Sequence, residues 1–372
     1  MTTPTLSEER ITTLDAIRGV AVLGLLVMNA VSYGLEPGAY FNLDVQGSVT
    51  WLDWAIGGFG EIFVDQKFMG LFSMLFGAGI VLFAERAGAK GRRPVLFSLW
   101  RNTVLLGIGL LHAALWDGDV LTVYALCSPV VLAVRKCSPR TLFVIGTGFV
   151  LLSALAAVVV QGDVGPAGAE LGTYWFLEGE ISDSVELFEL IDFFSRSLGM
   201  MLIGVGLYRM GILSGSRPPA FYRRMAAWGL GLGLPLAAFG MGFVAVNGFS
   251  PGVALSSQAP NTLGTIPVAL GYVRLIIVWN QSRPTVMHER VRAVGRMALT
   301  NYLSQTVLGV LIPASLDATS LTRSGIFVFV VSVWALQLIW SKWWLERFRY
   351  GPAEWAWRSV TYWSPQPMRI IA

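Results

Sequence analysis

His112 ends an apolar tract that begins near Val104, and the chain then runs through Trp116-Asp117-Gly118-Asp119. An imidazole and two carboxylates within about two helical turns of each other make a base with an orienter close by. Such a pair suits acyl transfer from a thioester to a hydroxyl or amine. That reaction needs a group to take the acceptor's proton, and imidazole changes charge near neutral pH. Asp117 or Asp119 would hold the tautomer and steady the imidazolium. The plainer alternative is that His112 closes a helix and Asp117-Gly118-Asp119 is a tight turn.

These residues sit at a membrane boundary. Hydrophobic residues make up 54% of the 372 and charged ones 13%, with a mean hydropathy of +0.61. Soluble chains carry roughly twice that charge. Runs long enough to cross about 30 Å of hydrocarbon recur about ten times, near 15–34, 66–86, 96–116, 119–135, 140–160, 190–213, 224–247, 260–280, 294–314 and 325–345. The expected fold is therefore an all-α polytopic transmembrane bundle. The stretch from Trp51 to Val64, short and rich in glycine and aromatics, reads as interfacial or re-entrant.

Every second connection is basic: Arg86 to Arg93, Arg135 to Arg140, Arg217 to Arg224, and Arg283 to Arg292. The positive-inside rule makes these cytoplasmic and places both termini there. The intervening loops are acidic or neutral, with Glu36 and Asp44 in the first and Asp317 in the last. Topology and anionic lipid account for the net charge of +4 without any nucleic acid.

The first span has a polar lead and no small-residue cleavage site, so it is expected to stay as an anchor. Residues 1–372 read as one membrane domain, with an extracytoplasmic loop at 161–189 and a cytoplasmic interfacial tail at 340–372. Cys127 and Cys137 suggest neither a disulfide nor a metal site.

Other polar residues recur inside the apolar runs. Asp15 and Arg18, three apart, share a helical face, and Asn29 returns to nearly that face. Asp65 and Lys67 precede the second span, where they pair with each other or close the outer mouth of a cavity. Asp192 and Arg196 have ion-pair spacing inside the sixth span. Arg274 contacts lipid headgroups or a nucleotide. Asn301 and Gln305, beside Arg296, serve helix adhesion or ligand binding. The aromatic and basic run from Trp340 to Trp363 reads as interfacial, with phosphate binding as the other option. His288, in a basic loop, is expected to be solvated.

The opening Leu14-Asp15-Ala16-Ile17-Arg18-Gly19-Val20-Ala21, leading to Asn29, resembles the first helix of the membrane acyltransferase superfamily, which includes the lysosomal heparan glucosaminide N-acetyltransferase. Four further motifs narrow the resemblance. They are Asp65-Gln66-Lys67-Phe68 with Leu71 to Gly77, Gly109-Leu110-Leu111-His112 with Gly118-Asp119, Gly295-Arg296-Met297-Ala298-Leu299-Thr300-Asn301-Tyr302, and Arg347 to Arg358. Together they resemble the YeiB-like family of bacterial inner-membrane proteins, a domain of unknown function.

The resemblance implies a multi-pass protein of the bacterial inner membrane that moves an acyl group, expected to be acetyl, from cytoplasmic acyl-CoA to a small-molecule acceptor across the membrane. In that scheme His112, Asp117 and Asp119 are the candidate catalytic group. Arg18, Asn29, Arg274 and Arg296 are candidates for the donor, acetyl-CoA. Asp15, Asp65, Lys67, Asp192, Arg196, Asn301 and Gln305 line the cavity. Expected partners are membrane lipids and the acceptor; a homodimer stays open.

One departure stands out. The glucosaminide acetyltransferases carry their histidine shortly after the first span, and Gly34 to Val49 contains none. An acyltransferase must then use His112 from a different helix, or a different mechanism, and a His112 buried away from any cavity would count against its catalytic role. The competing class is a small-molecule transporter built on the same polar groups, although the chain lacks the matched halves expected of many carriers.

Overall fold

A computed structural model describes residues 11–311 and 321–370; the polar lead before Ile11 and Asp317 lie outside them. The described residues form fourteen α-helices. In order these are α1 (Thr12–Asn29), α2 (Val31–Gly34), α3 (Trp51–Phe59), α4 (Lys67–Ala89), α5 (Pro94–Ala113), α6 (Leu121–Val134) and α7 (Pro139–Gln161). There follow α8 (Asp183–Arg209), α9 (Pro219–Val246), α10 (Gln258–Gln281), α11 (Val286–Arg296), α12 (Ala298–Leu311), α13 (Arg323–Leu345) and α14 (Pro352–Tyr362). Strand structure among these residues is limited to one isolated bridge, Phe348 with Arg369.

Among the described residues, eight helical segments are long and apolar enough to cross a membrane. α6 differs from the expected span: it has 14 residues, or about 21 Å of rise. α6 is short because a turn at 114–120 delays its start; α12 begins at Ala298, after a break at Met297 that separates it from α11, and continues to Leu311, the last residue described on that side. The Trp51–Val64 stretch is helical and joins α4 in one apolar tract. It does so through a π-turn at Gly60–Val64 and a break at Gln66, whose φ is 61°.

Small residues set the closest helix crossings. A Cβ on Gly295 would strike the Asp15 carbonyl, and one on Gly19 the Val291 carbonyl. α1 and α11 therefore touch backbone to backbone, which locks the first sequence motif onto the fourth. Gly77 and Gly204 do the same between α4 and α8, against the carbonyls of Met201 and Met74. The core between these helices holds Ile17, Leu71, Met74, Met200 and Ile203, all essentially inaccessible.

The loop at 161–182 packs onto the end of the bundle that carries the acidic connections. Trp175 donates to the Phe249 carbonyl at 3.0 Å, and Asn42 donates to the Trp175 carbonyl at 3.1 Å. At the opposite, basic end His288 is buried, contrary to the expectation that it is solvated. Its ring stacks on Trp279 at 4.2 Å, and Thr285 pairs with it in the cap that starts α11.

Candidate functional site

Gly109 lies one turn before His112 on α5, and a Cβ there would press against Thr122 N and Asp119 Oδ2. Its absence lets the start of α6 lie against α5. Asp119 then caps α6, accepting from Leu121 N at 3.1 Å and Thr122 N at 2.8 Å. Oδ1 also lies 2.7 Å from His112 Nδ1. The same carboxylate starts a helix and orients the imidazole, which is why the motif pairs Gly109 with Asp119.

The other ring nitrogen, Nε2, is 2.9 Å from Thr306 Oγ1 on α12, and Thr306 is 3.1 Å from the Tyr33 hydroxyl on α2. With a neutral imidazole, Nδ1–H donates to Asp119 and Nε2 accepts from Thr306. Thr306 in turn accepts from Tyr33. Asp119, His112 and Thr306 thus stand as acid, base and hydroxyl in line. All three are buried.

Asp117, by contrast, is exposed and stands outside this chain of bonds. Trp116 closes the outer side, donating to Ser32 at 3.2 Å and packing edge-on against Tyr33.

A cavity of about 350 Å³ opens at the basic end between α1, α4, α5, α12 and α14. Its mouth carries Arg18, Arg86, Lys90, Arg92, Arg101, Arg296 and Arg358 against two carboxylates, Asp15 and Glu354. Asp15 is held by Arg18 at 3.2 Å. Glu354 is occupied in capping α12, accepting from Leu299 N at 2.7 Å and Thr300 N at 3.1 Å. Burial pushes the Glu354 carboxyl above the ordinary glutamate range.

Three of these arginines lie on aromatic faces. Arg101 sits between Phe83 at 4.5 Å and Trp357 at 4.0 Å, Arg92 lies over Phe97 at 4.4 Å, and Arg358 over Tyr350 at 4.6 Å. None of the three has a carboxylate within ion-pair distance among the described residues. Deeper in, the walls turn apolar, with Phe72, Leu75, Leu105 and Leu121. The inner end is closed by Tyr302. Its ring centroid is 5.1 Å from that of His112, and its hydroxyl accepts from Val120 N at 3.3 Å. His112 itself does not line the cavity: one aromatic ring stands between them.

The remaining sequence candidates divide into three groups. Arg18, Arg296 and Asp15 line this cavity. Asn29 lies beyond it, on the Tyr33 side of His112. Asn301 and Gln305 point away, into an amide ladder. Asn301 donates to Ser341 and accepts from Trp340, while Gln305 donates to Gln337 and to the Val22 carbonyl. That ladder joins α12 to α13 and α1.

Asp65, Lys67, Asp192 and Arg196 form a separate cluster toward the acidic end. Asp65 accepts from Tyr40 at 3.1 Å and Asn261 at 3.0 Å, and Lys67 donates to Asn261 and to the Glu61 carbonyl. Arg196 grips Asp192, which also accepts from Ser153. Arg274 lines neither region but a groove between α9 and α10. No group of three or more His, Cys, Asp or Glu suited to a metal occurs among the described residues.

Thr306, Tyr33 and Arg101 were not among the residues singled out from the sequence. Thr306 had a legible signal: it follows Tyr302 by four residues and so shares its helical face. Arg101 reads locally as an ordinary arginine two turns into a helix; only the return of α14 beneath it makes the aromatic sandwich.

Residues 207–364 match the family model described as a protein of unknown function, DUF418. Over 95% of its length the chain is 32% identical to the uncharacterized protein YeiB of Escherichia coli K12, covering 96% of that protein. It is 29% identical to the uncharacterized protein YxaH of Bacillus subtilis, over 98% of the chain and 97% of the relative.

Proposed function

The chain belongs to the YeiB-like family, and on that footing we propose that it is an acyltransferase of the bacterial inner membrane. It moves an acyl group, acetyl in the simplest case, from acyl-CoA at the basic, cytoplasmic face to a hydroxyl or amine of a cell-envelope or exported small molecule. The observation that carries this reading is the position of Tyr302, one ring shared between the cavity's inner end and the His112 imidazole.

The cavity suits a donor with a phosphorylated head and a long, thin arm. Arginines without carboxylate partners meet the phosphates, and their planar guanidinium groups are fixed in advance by the rings they lie on. The arm follows the apolar inner walls formed by Phe72, Leu75, Leu105 and Leu121. Movement of the Tyr302 side chain then brings the thioester carbonyl to His112.

The acceptor takes the place of Thr306 at Nε2. His112 removes its proton as the oxygen or nitrogen attacks the carbonyl carbon. The carbon–sulfur bond breaks, and the leaving thiolate takes the proton from the imidazolium. Asp119 holds Nδ1–H throughout and stabilises the transient positive charge.

Inside-out membrane vesicles given acetyl-CoA labelled in the acetyl group would test this. Label should pass to an extractable product with the native chain and stay on CoA with His112→Gln. Equal transfer by both would remove His112 from the chemistry.

A further inference from the structure

We infer that the groove between α9 and α10 at the basic end is a binding site for one anionic phospholipid of the cytoplasmic leaflet. Arg223 of α9 and Arg274 of α10 line it. Neither makes an ion pair or hydrogen bond with any described residue, and Arg274 Nε is shielded from solvent without an acceptor. A shielded N–H of a cation without an acceptor is costly. A phosphate oxygen would satisfy it.

The rest of the lining selects a lipid over a soluble anion. Ala226, Leu275, Val278 and Trp279 supply apolar walls, and Leu275 and Val278, on an apolar helix long enough to cross a membrane, are 51% and 44% exposed. Trp279 is held flat by its stack on His288. The groove stops three residues deeper on each helix, where Gly229 and Gly271 bring the two backbones together: a Cβ on Gly229 would meet Gly271 N at 3.1 Å. The ligand this shape fits has one anionic head at the level of the two arginines and chains that lie outward along α10. Juxtamembrane basic groups attract anionic headgroups on the cytoplasmic side. The site shares no residue with the donor cavity, so it stands or falls apart from the acyltransferase reading.

The test uses the full chain, delipidated in a neutral detergent, with thermal unfolding and native mass spectrometry read together. Dioleoyl phosphatidylglycerol, dioleoyl phosphatidylcholine and inorganic phosphate are the probes. Phosphatidylglycerol is expected to raise Tm saturably and to appear as a single retained lipid, with the other two inert. The Arg223→Ala, Arg274→Ala double variant should bind it about tenfold or more weakly, and Arg274→Lys should keep part of the affinity. Circular dichroism confirms that each variant is helical. Retention equal to the native chain's in the double variant, equal stabilisation by phosphatidylcholine, or stabilisation by inorganic phosphate alone would each overturn the assignment.

Discussion

The ring of Tyr302 lies 5.1 Å from the ring of His112, centroid to centroid, and closes the inner end of the basic cavity. A single side chain therefore separates the place where a donor would bind from the base that would use it. Its hydroxyl is held by Val120 N, at the turn that carries Asp119. Tyr302→Phe leaves that buried N–H without its partner and should lower stability by about 1–3 kcal/mol. Donor affinity should not change, because the hydroxyl is taken up by Val120 N, which does not line the cavity. Thermal unfolding with and without CoA separates the two effects.

Asp119 does two jobs, and two substitutions divide them. Asp119→Asn keeps an oxygen for the α6 cap but sets the His112 tautomer against base chemistry; a loss of about 10³- to 10⁴-fold in transfer is expected, as in other base and orienter pairs. Asp119→Ala also loses the cap, adding about 0.5–2 kcal/mol of destabilisation. Rate and Tm measured on both variants test the division.

Arg101 is the arginine of the basic cavity held closest by two aromatic faces, those of Phe83 and Trp357. Arg101→Met should weaken CoA binding by about tenfold or more, an effect of about 1.4 kcal/mol. Arg101→Lys should recover little, since an ammonium neither stacks between Phe83 and Trp357 nor presents a planar fork. Isothermal titration with CoA is the measurement.

The crossing of α1 and α11 depends on Gly295. Gly295→Ala forces a methyl group onto the Asp15 carbonyl and should destabilise the protein or shift the crossing. Gly107→Ala, where nothing lies within 4 Å of the new Cβ, should be neutral or slightly stabilising through helix propensity. Comparing the two Tm values cancels the propensity effect common to both.

At the basic end Lys342 donates to Glu289 and holds its carboxyl below the ordinary glutamate range. A depressed carboxylate pKa adds stability that is present above the unfolded value and lost as pH falls through the folded one. Both side chains are solvent-facing, so the effect is small and screened by salt. Lys342→Met should reduce the fall in Tm between about pH 6 and about pH 3 at low salt.

Much of this was legible in the chain. Hydropathy located the long helices, and the spacing of Gly109, His112 and Asp119 pointed to a buried contact that the fold does make, His112 with Asp119, since an ionisable cluster in an apolar tract needs partners. Two things were hidden. The partner of Nε2, Thr306, comes from α12, and Thr306's own partner, Tyr33, from α2, far away in sequence; only tertiary packing brings them together beside His112. The polar pairs Asn301 with Gln305 and Asp65 with Lys67 carry the residue types of a cavity lining. An amide buried among helices is satisfied as well by a neighbouring helix as by a ligand, so type and spacing alone do not separate the two.

The most direct measurement is thermal unfolding of the detergent-solubilised protein against rising concentrations of CoA and acetyl-CoA, on the native chain, Arg101→Met and His112→Gln. A ligand that binds only the folded state raises Tm with its concentration over Kd. The account requires a saturable rise with both compounds that is kept in His112→Gln and reduced in Arg101→Met. No rise on the native chain at millimolar CoA, or the same rise in all three, would contradict the cavity as the donor site.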